Sequence, residues 1–85
     1  MITFDHILTD PEGIHARPAG NLVKAAAGFV SRLTIAKGDQ RGDLKRILSV
    51  MALGAKCGDT VTITVDGADE EAAADVVRQF LKDNL

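Results

Sequence analysis

The segment Thr60-Val61-Thr62-Ile63-Thr64-Val65 places polar and apolar residues at strictly alternating positions. Successive side chains of a β-strand point to opposite faces of a sheet, so the segment predicts a strand with one buried face and one wet face. Its β-branched composition suits a strand as well. The chain therefore needs other strands beside this one and an apolar layer against one face only.

Three further segments predict the remaining strands. Residues 2–7 alternate in the same way, and within them we interpret His6 as a strand surface residue rather than a catalytic one. Ser31–Lys37 alternates too, and Gly38–Gln40 predicts a hairpin turn that leads to a short polar strand at Arg41–Leu44. Glycine and aspartate are poor strand formers, so this short, charged strand suits the edge of a sheet.

The first helix is predicted from about Ala16 to Ala27, with Gly28 as its end. We expect Phe29 and Val30, which follow it, to close the core beneath the helix. Its buried face is predicted from residues at i, i+3, i+4 and i+7, namely Ala19, Leu22, Val23 and Ala26.

Two more helices are predicted in the second half of the chain. A brief one covers Ile47–Leu53 and ends at Gly54. The last begins after Asp69, a favourable N-cap, and has Glu70 and Glu71 in the first turn, where the helix dipole favours negative charge. Its predicted buried face consists of Ala73, Val76, Val77, Phe80 and Leu81.

The predicted element order is βαββαβα in a single domain of residues 1–85. Strands that alternate in polarity and are interleaved with helices indicate an α+β fold, in which three helices cover one face of a four-stranded antiparallel sheet. We call this an open-faced β-sandwich. The pattern does not define the order of the strands within the sheet.

Composition excludes several classes of function. A net charge of −2 lacks the extended basic surface that nucleic-acid binding needs. Cys57 is the only cysteine, and His6 and His15 lie far apart in sequence, so we expect neither a disulfide nor a metal site, and no cofactor. No signal-peptide pattern or membrane-spanning apolar run occurs, so we expect a cytoplasmic protein that does not insert into membranes.

The stretch Gly13-Ile14-His15-Ala16-Arg17-Pro18-Ala19 is the candidate functional motif. Pro18 suits the first turn of a helix, which places His15 at or beside the N-cap. The N–H groups of the Ala16–Pro18 region then have no helical partners, and together with the guanidinium of Arg17 they can bind a phosphate. The positive helix end also disfavours an imidazolium, which keeps a ring nitrogen of His15 free to attack phosphorus.

This motif resembles the active-site signature of the HPr family, the histidine-containing phosphocarriers of the bacterial sugar phosphotransferase system. Lys45–Gly54 resembles the short-helix motif of the same family, and length and element order agree over essentially the whole chain. The resemblance implies the open-faced sandwich and a phosphoryl group carried on Nδ1 of His15. It also implies transfer from enzyme I to the EIIA components of sugar transporters. We expect a monomer that carries phosphate without independent enzymatic turnover.

The short helix also predicts a docking surface. Its apolar residues cannot all face one core, so we expect Val50 and Leu53 to be buried and Ile47, Leu48 and Met51 to stay partly exposed. With Arg46 beside them, these residues form the candidate partner-docking patch. The resemblance implies the same role, since the short helix of the family meets its phosphotransfer partners.

The chain departs from the family pattern at two positions. Arg46 stands where many relatives carry a regulatory serine, which puts serine phosphorylation by the HPr kinase in doubt. We interpret Ser49 as a helix-surface hydroxyl. Glu12 places a negative charge near the expected phosphate, where it either weakens phosphohistidine or points away.

Two other classes of function are open at this point. The chain is compatible with an HPr paralogue in a non-sugar phosphotransfer or regulatory chain, although a purely regulatory module has no need of His15. A small acyl-phosphate hydrolase would also use backbone amides and an arginine, but it would release phosphate catalytically, whereas a carrier holds it stoichiometrically.

Overall fold

The alternating segment forms an inner strand of the sheet in a computed structural model that describes residues 1–85. The strands are β1 (Ile2–Ile7), β2 (Arg32–Lys37), β3 (Gln40–Asp43) and β4 (Thr60–Asp66), and the helices are α1 (Ala16–Ala27), α2 (Ile47–Met51) and α3 (Glu70–Asn84). The strand order is β1-β4-β2-β3, and every neighbouring pair is antiparallel. Ile63 of β4 lies opposite Phe4 of β1 on one side and Ile35 of β2 on the other.

One face of the sheet is covered by the three helices, as the polarity pattern predicted. The alternating apolar residues of β2 and β4 are fully buried, whereas the threonines between them face the open side. α1 packs on α2 and α3, and α3 also packs on β1 and β4. The buried strand residues that anchor this core are Leu33, Ile35, Val61, Ile63 and Val65. The α+β open-faced sandwich is therefore confirmed.

The weakest strand prediction is shifted by one residue. β3 begins at Gln40 rather than Arg41, because only Gly38 and Asp39 form the hairpin turn, with Gly38 at a φ of 58°. Leu44 falls outside the strand, although its N–H donates to the carbonyl of Leu33 and its side chain is fully buried. β3 lies at the edge of the sheet, as its polarity predicted.

Two residues expected in the core are exposed. Val30 is 78% exposed, while its neighbour Phe29 packs against the core. Val76 is 43% exposed. Each helical residue advances about 100° around the axis, so Val76 lies at the margin of the apolar face of α3. Ala74, which was not predicted to face the core, is buried.

His6 is not an ordinary surface residue of β1. It lies on the helix-facing side of the sheet, in register with Val61, and is half-buried. Its Nε2 is buried and has no hydrogen-bond partner. The alternation of β1 places residue 6 on the same side as Ile2 and Phe4, so the interpretation of His6 as a surface residue was wrong.

Asp69 begins α3, but its carboxylate does not cap the helix. It accepts hydrogen bonds from the N–H of Val30 at 2.9 Å, the N–H of Ser31 at 3.0 Å and the hydroxyl of Ser31. The Ser31 hydroxyl is the main reason why the pKa of Asp69 lies below its usual value of 3.8. The carboxylate thus fastens the start of α3 to the start of β2.

We predict that Asp69→Ala lowers the melting temperature near neutral pH, because it removes an acceptor for three donors. A pKa that is lower in the folded than in the unfolded chain stabilises the fold above the unfolded value, and this contribution is lost as pH falls through the folded value. The difference in melting temperature from wild type should therefore narrow below about pH 3.8. Glu71→Ala, which removes an exposed carboxylate from the same helix start, is the control. An equal loss in both variants would contradict this role for Asp69.

Candidate functional site

The loop between β1 and α1 is held by main-chain hydrogen bonds to two other parts of the chain. The N–H groups of Thr9 and Asp10 donate to the main-chain oxygen of Leu85, at 2.6 and 3.1 Å. The N–H of Ile14 donates to the carbonyl of Ala55 at 3.0 Å. Gly13, at a φ of 65°, lies so close to the Ala55 carbonyl that a Cβ would overlap it. These contacts fix the residues immediately before His15.

His15 occupies the N-cap of α1, as predicted from Pro18. Its backbone is extended, its carbonyl accepts the first helical hydrogen bond from Ala19 at 3.0 Å, and its side chain makes no capping hydrogen bond. The N–H groups of Ala16 and Arg17 are left without acceptors in the first turn. The imidazole therefore stands next to the positive end of the helix dipole.

A shallow pocket of about 250 Å³ opens beside the imidazole. Arg17, which is exposed and belongs to none of the ion pairs, lies in its wall, so its guanidinium is available to an anion. The lining residues are Asp10, His15, Arg17, Pro18, Asn21 and Asn84. The predicted site residues His15, Arg17 and Pro18 thus lie together in one pocket, and Ala16 is adjacent in the first turn.

Two carboxylates flank the imidazole of His15. Glu12 Oε2 lies 3.3 Å from Nδ1, and Asp10 Oδ2 lies 3.5 Å from Nε2. The side chain of Glu12 therefore points toward the ring and not away from it. The carboxylates attract a positive ring, whereas the helix end disfavours one, so the two effects oppose each other.

Asp10, Glu12 and His15 are also the group whose donor atoms could hold a metal ion, since these atoms lie within 4.8 Å of one another. The positions of the cysteine and the two histidines in the sequence do not indicate this group, because two of its three members are carboxylates of the loop before α1. Nothing beyond proximity marks the group as a metal centre, and exposed acidic groups commonly gather without an ion. The expectation that the chain binds no metal stays a prediction.

The pocket contains three residues that the sequence argument did not assign to the site. Asp10 was interpreted only as a turn residue. Asn21 lies four residues after Arg17 and so shares its helix face, which is a signal available in the sequence. Asn84 comes from the end of α3 and reaches the pocket only through the tertiary fold, so no local pattern could indicate it.

The short-helix residues have the exposure that was predicted. Val50 and Leu53 are buried, whereas Ile47, Leu48 and Met51 are 38%, 80% and 39% exposed. Arg46 is the N-cap of α2 and is exposed. Ile47 also contacts α1, because a Cβ on Gly20 would lie 3.6 Å from Ile47 Cδ1. We call Arg46, Ile47, Leu48 and Met51 the α2 patch.

Ser49 is more than a helix-surface hydroxyl. Its Oγ accepts a hydrogen bond from the N–H of Asp43 at 2.8 Å, which joins α2 to β3. Ser49 also lines a second, polar pocket of about 390 Å³ at the β2–β3 edge, together with Arg32 and Arg41. This pocket is larger than the one at His15 but shares no residue with it and contains no histidine or cysteine.

None of the three helices is both long enough and apolar enough to cross a membrane.

The sequence and the fold match known proteins over nearly their full lengths. Residues 2–83 match the family described as the PTS HPr component phosphorylation site, where PTS is the phosphotransferase system. Phosphocarrier protein HPr of Mycoplasma capricolum subsp. capricolum is 42% identical over 83 residues, which cover 98% of this chain and 93% of that protein.

Two solved structures agree with this result. A histidine-containing phosphocarrier protein of Mycoplasma has a TM-score of 0.94 at 41% identity, covering 96% of this chain and 93% of its own. An HPr dimer from Thermoanaerobacter tengcongensis has a TM-score of 0.77 at 31% identity, covering 92% of this chain and 88% of its own. With the motif, the fold and the family match in agreement, the chain belongs to the HPr family of phosphocarriers of the phosphotransferase system.

Proposed function

We propose that the chain relays a phosphoryl group through phosphohistidine at His15, from enzyme I to the EIIA components of sugar transporters. The observation that carries this proposal is the position of His15 at the N-cap of α1, beside two N–H groups without acceptors and the unpaired guanidinium of Arg17. A nucleophile and a binding site for phosphate oxygens thus lie within one helical turn.

In the proposed transfer, a ring nitrogen of His15 attacks phosphorus in line with the bond to the donor. Such a reaction needs positioning and charge stabilisation more than covalent machinery. The N–H groups of Ala16 and Arg17 and the helix dipole are placed to stabilise charge on the phosphoryl oxygens. Because the pocket is shallow and open, the phosphohistidine stays accessible to the next acceptor.

Partner binding is proposed for the α2 patch. Leu48 and Met51 expose apolar surface, and Arg46 adds a cation at the rim. An apolar centre with a positive rim fits a partner that has an acidic border around an apolar pocket, because charge steers the encounter and buried anchors hold the complex. The contact between Ile47 and Gly20 places the patch against the helix that carries His15.

The remaining expectations follow from this role. We propose that residues 1–85 act as one cytoplasmic phosphocarrier domain, and that Arg46 removes the kinase-dependent branch found where relatives carry a serine. A monomer suffices for the transfer, although a relative forms an HPr dimer. The second candidate is an HPr paralogue in a non-sugar or regulatory chain, and the contact of Glu12 with His15 is the feature that favours it.

We predict that His15→Ala folds normally but gains no acid-labile, base-stable phosphoryl group from enzyme I and phosphoenolpyruvate. The half-exposed ring adds little to the core, so circular dichroism should not change. Intact mass measures the phosphate, and His6→Gln, which changes the only other histidine, is the control. Phosphate gain by His15→Ala at the wild-type rate would exclude His15. Continuous phosphate release by wild type would indicate a hydrolase.

Arg17→Ala should slow phosphoryl transfer by about 100-fold, because a typical charge-stabilising group contributes roughly 3 kcal/mol to the transition state. Arg17→Lys should recover only part of the rate, since an ammonium cannot reproduce the guanidinium fork. The measurement is rapid-quench transfer from phosphorylated enzyme I. Arg32→Ala removes an exposed arginine at a distant strand and should transfer at the wild-type rate, and a similar rate for Arg17→Ala would contradict the assignment.

Leu48→Asp and Met51→Asp should weaken enzyme I binding at least tenfold in calorimetric titration, because each puts a charge into an apolar contact. Melting temperatures should change little, since both side chains are exposed. Val76→Asp is the matched control: this residue is 43% exposed on α3 and lies outside the α2 patch. Equal affinity in all three variants would rule out the patch as the docking site.

A further inference from the structure

Each ring nitrogen of His15 faces a carboxylate. Nδ1 lies 3.3 Å from Glu12 Oε2, and Nε2 lies 3.5 Å from Asp10 Oδ2. A nitrogen that attacks phosphorus must direct its lone pair at the donor. A phosphoryl group on either nitrogen would meet a carboxylate where it has to bind, so one of the two carboxylates has to move.

The two carboxylates differ in their freedom to move. Asp10 Oδ1 accepts a hydrogen bond from the N–H of Glu12 at 2.8 Å, and its side chain is only 24% exposed. Moving Asp10 would break the turn that shapes the loop. The side chain of Glu12 is 71% exposed and contacts no group other than His15 in the ion pairs and hydrogen bonds of the structure. Rotation about its own bonds is enough to remove it from the ring.

We propose that the Glu12 carboxylate covers Nδ1 in the resting protein and competes with the phosphoryl group for that nitrogen. Asp10 stays in place and accepts a hydrogen bond from Nε2 once the ring proton has moved there. The proposal rests on the phosphocarrier function proposed above and adds a regulatory residue to its site. Nδ1 is then the reactive nitrogen, which is also what the family resemblance implies.

The proton balance of the step follows from the geometry. A neutral imidazole has one ring proton, for which two carboxylates compete. The contact of Glu12 with Nδ1, at 3.3 Å, is shorter than that of Asp10 with Nε2, at 3.5 Å, and so favours the tautomer with the proton on Nδ1. Before transfer, Glu12 rotates away, Nδ1 releases its proton to water, and Nε2 takes one up beside Asp10. The Nδ1 lone pair then forms the N–P bond, the bond between donor and phosphorus breaks, and its electron pair stays on the donor. Phosphohistidine keeps the Nε2 proton.

Two consequences distinguish this chain from one with a neutral residue at position 12. In the resting protein, the carboxylate holds the nucleophile in its unreactive tautomer. In the phosphorylated protein, the nearby negative charge disfavours the phosphoryl group, which carries a charge of its own. Because the side chain of Glu12 is 71% exposed, water screens this repulsion, which then changes an equilibrium by roughly five- to tenfold. Glu12 therefore lowers the equilibrium constant for phosphorylation of His15 and favours transfer of the phosphoryl group from His15 to an acceptor.

The test compares wild type, Glu12→Gln and the control Glu71→Gln, which changes an exposed glutamate on α3. Nitrogen-15 NMR of the His15 ring, at a pH where the ring is neutral, reports the fraction of each tautomer without any phosphoryl donor. Equilibration with enzyme I and phosphoenolpyruvate, read by intact mass, reports the equilibrium constant of phosphorylation. We expect Glu12→Gln to shift the ring proton from Nδ1 toward Nε2 and to raise this constant roughly five- to tenfold. Glu71→Gln should match wild type in both.

Four results would overturn the proposal. Glu12→Gln with the wild-type tautomer ratio would show that the carboxylate does not control the proton. An unchanged equilibrium constant with normal His15 phosphorylation would refute the competition while leaving the phosphocarrier function intact. Slower phosphorylation of Glu12→Gln at an unchanged equilibrium would make Glu12 a proton acceptor instead of a competitor. A wild-type protein that gains no phosphate would refute the phosphocarrier function and this inference together.

Discussion

The main-chain hydrogen bonds of the loop before α1 are the constraint on which the site depends. Leu8 exchanges hydrogen bonds with the turn at residues 58–59, Thr9 and Asp10 donate to Leu85, and Ile14 donates to Ala55. Buried or partly buried main-chain groups need partners, so the loop cannot shift without leaving several of them unpaired. The imidazole of His15 is therefore positioned by two other parts of the chain, residues 55–59 before β4 and the residue Leu85, although the candidate site residues come mainly from one short stretch.

The local elements could be predicted from the sequence because each follows from a short-range rule. α1 has the predicted bounds, since Pro18 and Gly28 mark its two ends, and the alternation of β4 was unambiguous. At Asp69, tertiary contacts decided the outcome. Asp69 was correctly predicted to precede α3, but its carboxylate accepts hydrogen bonds from Ser31, the residue before β2, and none from its own helix. Strand order likewise depends on contacts between distant segments.

The candidate site was predictable only in part, for the same reason. Gly13, His15, Arg17 and Pro18 are contiguous, and a helix start has a known electrostatic character, so position and charge followed from the sequence. The approach of the two carboxylates to the two nitrogens of one ring could not be predicted from the sequence, because it depends on the path of the loop between residues 10 and 15. The ring therefore lies beside both the positive end of a helix and two negative carboxylates.

The contact of Ile47 with Gly20 has a mechanical consequence. Gly20 lies about one helical turn beyond Arg17 on α1, and the side chain of Ile47 from α2 lies over it, where a Cβ would be 3.6 Å from Ile47 Cδ1. A protein that binds to α2 therefore contacts an element that packs on α1, whose N-cap is His15. The orientation of that protein on α2 then fixes its orientation relative to the His15 ring without a conformational change. A carrier that serves successive partners through one surface would present the ring to each in the same orientation.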